Sequence, residues 1–137
     1  MSKNKIIKNL FLSIFAFAIL VLELLPNGVV LNFANPEGEP WRRTYSYFSL
    51  IPFGYANFGP FITAVLTCVL IVLILTCWFK FSKKLNVAIK SLSGVAIVTS
   101  LFPLMFGADN VTIIGVVITI LLASIFGICF INFRENL

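Results

Sequence analysis

Glu23 stands alone as an acid within an apolar run, in the sequence Leu22-Glu23-Leu24-Leu25-Pro26. A carboxyl so placed can bind a proton or a cation, or it can be neutralised by a partner of opposite charge. Arg42 and Arg43 are the nearest cations downstream, and either one folded over the same rim would pair with it. Asp109, followed by Asn110, falls in a very short connection between two apolar runs. Glu23, Arg42, Arg43 and Asp109 are therefore the candidate polar site, as a tether for the intervening loop or, with Asn27, as a transport site. For Asp109 or Asn110 the simplest expectation is a cap on the helix that comes next, because these side chains accept from free backbone donors and a carboxylate meets the positive helix end favourably.

Other chemistry is poorly supplied. The chain has no histidine, no acids paired at helical spacing and no glycine-rich phosphate loop, which argues against metal hydrolysis and histidine acid-base catalysis. Cys68, Cys77 and Cys129 all lie in apolar runs, where a thiol behaves as a small hydrophobe, and no cysteine pair sits in a loop to exchange disulfides. The expectation is a protein that is not an enzyme and that holds no metal or cofactor.

The elements that must position these residues are set by composition. Hydrophobic residues make up 60% of the 137-residue chain and charged residues 11%, too apolar for a small water-soluble core, so lipid is the expected solvent. Apolar runs at 10–25, 61–79, 86–106 and 111–133 each approach the roughly 20 residues that cross a hydrocarbon core of about 30 Å. The net charge of +5 does not imply nucleic acid, since the basic residues flank the runs. Lys3, Lys5, Lys8, Lys80, Lys83, Lys84, Lys90 and Arg134 fall on one side, with only Arg42 and Arg43 on the other. Basic residues near span ends favour the cytoplasm, so both termini are expected inside. No small-residue cleavage site succeeds the first run, which reads as an uncleaved anchor.

The fold class expected is an all-α integral membrane protein forming a single domain over 1–137, with four transmembrane helices, N-in and C-in, and a partly ordered, aromatic-rich outer loop at 26–60. Every tyrosine in the chain lies in that loop. Its Asn35-Pro36-Glu37-Gly38-Glu39-Pro40 run is a turn signal between two arms, consistent with a short hairpin or with an interfacial helix. Gly59-Pro60 suits the first turn of the second span. The short Gly107-Ala108-Asp109-Asn110 link makes spans three and four antiparallel neighbours, and Lys90 is placed to snorkel to the inner headgroups. On span four, Gly115, Thr119, Ala123 and Gly127 recur every fourth residue, and a stripe of small residues lets helix backbones approach closely in lipid.

The expected function is that of a non-enzymatic interaction or accessory subunit of the cell membrane, multi-pass and bacterial in composition. Its expected partners are the lipid bilayer and a second copy or another membrane protein, not nucleic acid. The alternative is a small-solute or ion transporter or channel with its polar site at the outer face. Secondary transporters build their sites near mid-membrane, and this chain has few polar groups there.

Overall fold

The structure is a computed structural model that describes residues 2–135, with side chains described through Ile131. Arg134, one of the basic residues flanking the last span, lies beyond the described side chains. The chain is mostly helical, with four helices long and apolar enough to cross a membrane. It is not all-α, because the 26–60 segment contributes a two-stranded antiparallel sheet. In order, the elements are α1 (Lys3–Leu24), β1 (Val29–Phe33), β2 (Trp41–Tyr45), the short α2 (Leu50–Gly54), α3 (Gly59–Phe79), α4 (Lys83–Ser100) and α5 (Ile113–Glu135). Between α4 and α5 run two 3₁₀ turns, Phe102–Phe106 and Ala108–Asn110.

Local chemistry accounts for the boundaries. Helix α1 begins at Lys3, well before the apolar run, since lysine is a good helix former and the backbone bonds continue outside the hydrocarbon. Pro60 occupies the first turn of α3, where its missing N–H costs nothing. Ser82 caps α4 by accepting from the Lys84 N–H at 3.2 Å. Pro103 ends the regular part of the third span, because a proline ring clashes with the carbonyl four residues earlier. The cap of α5 is Thr112, whose hydroxyl accepts from the Gly115 N–H at 2.9 Å. That corrects the expectation for Asp109 and Asn110, which belong to the preceding 3₁₀ turn.

The helices run up, down, up, down and close a ring in which α1 packs on α3 and α5, and α4 on the same two. The short link does make α4 and α5 neighbours. Leu12, Ala16 and Ile19 of α1 meet Leu70 and Ile74 of α3, Ile89 and Ala96 of α4, and Ile118, Leu122 and Ile125 of α5 in one core. Each helix offers this core residues three, four or seven apart, the spacing of one helical face.

On α5 the core-facing residues are Ile118, Leu122, Ile125 and Cys129, all fully buried. The small-residue series is therefore not the helix face packed within the bundle. Ala123 is exposed, and a Cβ added at Gly127 would meet nothing within 4 Å. A four-cornered ring leaves space on its axis, and branched side chains fill it where small ones would leave a void. Among the described residues the close contacts of the series are at its first two members: Gly115 faces the Tyr47 hydroxyl, and Thr119 bonds Ser100.

Candidate functional site at the hairpin end

Polar side chains bridge the helices in two layers, one near each end of the bundle. At the hairpin end, Thr67 of α3 donates to Glu23 Oε1 of α1 at 2.8 Å, Thr63 and Thr99 join α3 to α4 at 2.7 Å, and Ser100 and Thr119 join α4 to α5 at 2.9 Å. Three neighbouring seams are thus crossed by hydroxyls or a carboxyl, the groups that hold helices together where water is absent. At the lysine end, Lys8 donates to Asn86 Oδ1 across the diagonal, and Asn86 donates to the Cys129 carbonyl at 3.3 Å. Asn9 reaches the Cys77 carbonyl at 3.2 Å. Lys90 lies over the Phe130 ring at 4.4 Å, so its charge meets an aromatic face on α5.

Glu23 is fully buried, and its Oε2 has no hydrogen-bond partner among the described residues. Thr67 also donates to the Thr63 carbonyl at 3.0 Å, so a hydroxyl with a single hydrogen serves two acceptors. Arg42 and Arg43 stand exposed on β2. The structure does not bring them to Glu23, because the hairpin reaches the bundle through other atoms. The Tyr47 N–H donates to the Glu23 carbonyl at 3.0 Å, Thr112 donates to the Gly28 carbonyl at 2.7 Å, and Asn32 donates to Asn110 Oδ1 at 3.1 Å.

Hairpin pairing runs from Val29 opposite Tyr45 to Phe33 opposite Trp41. Asn35 tightens the connection by accepting from the Glu37 N–H at 3.2 Å, an Asx turn. Val29 and Val30 are buried where β1 meets the bundle, and all of β2 but its last residue is exposed. Beyond β2 the chain turns Tyr47 inward until 2% of it remains accessible. Gly28 makes room, for a Cβ there would lie 2.9 Å from the Tyr47 ring. Burial first, and the Glu23 carboxyl second, push the Tyr47 phenol above the usual tyrosine range.

Two cavities open at this end. One, of about 240 Å³, is lined by Tyr47, Ser100, Thr112, Thr119 and apolar residues of the α4–α5 link. The other, of about 460 Å³, lies between β1, the α2–α3 turn and the Ala108–Asn110 turn. Asp109 lines this second cavity and is far from Glu23 in role: it is exposed, while Glu23 is enclosed. Of the candidate polar residues, then, the structure assembles none with another. It adds Thr63, Thr67, Thr99, Ser100, Tyr47, Lys8, Asn9 and Asn86 to the groups that matter. Thr63 and Thr67 carried a usable signal, being one helical turn apart, whereas Lys8 and Asn86 lie 78 residues apart and share no local pattern. No family model, curated protein or solved structure matches the chain.

Proposed function

We propose that this chain is a non-enzymatic interaction or accessory subunit of a cell membrane, oriented N-in and C-in, that presents its hairpin as the recognition surface. The observation that carries this reading is a hairpin held along one strand and uncovered along the other: β1 is bonded to the bundle, while Trp41, Arg42, Arg43 and Thr44 of β2 are all exposed. A fixed ribbon gives a partner aromatic surface and two guanidinium forks without the entropy cost of ordering a loop. A solid apolar core between the two polar layers supports interaction over passage, since Ala16, Ile19, Leu70, Ile74 and Leu122 are each no more than 2% exposed. A photo-crosslinking residue at position 41 should give one discrete adduct in cells, lost when Arg42 and Arg43 are both changed to Glu. One at Val98, exposed on the helical surface, should give none. Equal adducts at both positions, or none at 41, would remove this reading.

A second reading, ion or small-solute transport, is favoured by the unpartnered Oε2 of Glu23. A proton on Glu23 would supply the donor that the Thr67 hydroxyl cannot provide twice, which suits a proton-binding carboxyl. Glu23→Gln should abolish a pH-dependent flux in proteoliposomes if transport is the activity, since a neutral amide cannot cycle charge. If the chain is an accessory subunit, the same substitution leaves position-41 crosslinking unchanged.

A further inference from the structure

We infer that the larger cavity at the hairpin end binds an organic ammonium group. Half of its eight lining residues are apolar or aromatic: Leu31, Phe33, Tyr55 and Phe106. The other half are Asp109 and the amides Asn32, Asn57 and Asn110. Phe33 and Tyr55 stand nearly perpendicular, with centroids 5.2 Å apart and an interplanar angle of 81°. In such an edge-to-face pair one ring covers a face of the other, and the faces left open offer π-electron density, from which an alkylated cation gains what a hydrated metal ion does not. Asp109 is the charged residue among those lining the cavity, and its sign is negative.

Asn57 adds an independent observation. It lines the cavity at only 3% exposure, and its Oδ1 has no hydrogen-bond partner among the described residues. A buried amide oxygen without a donor is costly, and an N–H or a polarised N-methyl group is the kind of guest that relieves it. The turn that presents Asn57 is held rigidly. The Asn57 N–H donates to the Pro52 carbonyl at 3.0 Å and the Ala56 N–H to the Phe53 carbonyl at 3.1 Å, the paired bonds of a Schellman ending. Its left-handed position is filled by Ala56 at φ 64°, so Tyr55 and Asn57 are fixed on either side of it.

The alternatives fit less well. A hard divalent ion needs six to eight oxygens, and the lining offers one carboxylate and three side-chain amides, of which Asn110 Oδ1 already accepts from Asn32. An anion finds no cation in the lining. Arg42 stands opposite Asn32 in the ribbon but does not line the cavity. At about 460 Å³ the space falls within the range of small-molecule sites, roughly 300–1,000 Å³. The shared chemistry is an ammonium, carried either by a zwitterionic lipid headgroup or by a free alkylamine.

Calorimetric titration of the full chain, in a maltoside detergent that carries no ammonium, tests this with choline and tetramethylammonium. Both should bind, and 3,3-dimethylbutanol, which replaces the choline nitrogen by carbon, should bind about tenfold more weakly or not at all. Asp109→Asn and Tyr55→Leu should each weaken choline by about tenfold while leaving the melting temperature unchanged, and Glu37→Gln, an acid outside the cavity, should have no effect. In nanodiscs of phosphatidylcholine the apparent choline affinity falls relative to digalactosyl diacylglycerol, an uncharged lipid without an ammonium, if lipid headgroups are the natural source, and stays the same if a free amine is. Heat from neither ammonium, equal binding of choline and its neutral isostere, full affinity in Asp109→Asn, or calcium binding without choline binding would each overturn the assignment.

Discussion

Tyr47 is the residue on which the hairpin's attachment turns. Its ring fills the space above Gly28, its N–H satisfies the Glu23 carbonyl at the end of α1, and its hydroxyl lies against Gly115 of α5. Tyr47→Ala should therefore cost about 3 kcal/mol of hairpin attachment, by analogy with other buried aromatic truncations, and should open the 26–60 segment to protease. Arg42→Ala and Arg43→Ala should leave protection unchanged, the opposite of what an Arg–Glu23 tether requires. The phenol also gives the attachment a pH limit. Its folded value is raised above the unfolded one near 10, so its contribution is complete below about pH 10 and is lost as pH rises further. Denaturant unfolding followed by Trp41 fluorescence in a Trp78→Phe background should show that alkaline loss, and Tyr47→Phe should flatten it. An unchanged alkaline slope in Tyr47→Phe would show that the phenol does not set the loss.

At the scale of elements, helix contacts are decided by where backbones must come close, and composition alone does not reveal this. Gly59 opens α3 directly against the end of α4, where an added Cβ would overlap the Thr99 carbonyl and the Phe102 Cβ. Gly59→Ala should lower the melting temperature in detergent by several degrees, because one of the obstructing atoms is backbone and cannot rotate away. Gly127→Ala should be silent, since its Cβ would enter open space. On the same helix, Ile118→Ala should cost about 2 kcal/mol through the void it leaves in the core, while Ala123→Leu, on the exposed side, should be mild. Equal effects at Gly59 and Gly127, or a larger loss at Ala123 than at Ile118, would show that α5 packs through its small-residue series after all, against a second copy.

For the whole molecule, the two polar layers and the apolar core between them suit a bilayer, with lysines at one end and the ribbon at the other. Helix α1, with 22 residues, reaches about 33 Å at 1.5 Å per residue, enough to cross the hydrocarbon with its first lysines outside. The charge distribution predicts which end faces the cytoplasm. Reporters fused after the last helix and in the 81–85 turn should read cytoplasmic, and one at Gly38 should read external. An impermeant label that reaches the C-terminus and not position 38 would invert the arrangement and place the hairpin, the proposed recognition surface, inside the cell.

Local chemistry and the demands of the solvent, both legible in the amino-acid sequence, set the four apolar helices, the start of α3 at Gly59-Pro60, the adjacency of α4 and α5, and a turn at 35–40 able to close a hairpin. These depend on neighbours along the chain or on bulk transfer to lipid, and both can be read one segment at a time. The fate of the polar residues was settled only by packing in three dimensions. Glu23 is by sequence a lone acid in an apolar run, yet the hairpin folds over it, so its environment depends on Tyr47, 24 positions later, and on Thr67 across a helix seam. Lys8 looked like one of several flanking cations, and its partner Asn86 is fixed only by the ring order of the helices. Asp109 and Asn57 acquire a common cavity because β1, the α2–α3 turn and the α4–α5 link meet there. A carboxyl's charge is written in its residue type, but its partner and its access to water are properties of the surfaces that close around it.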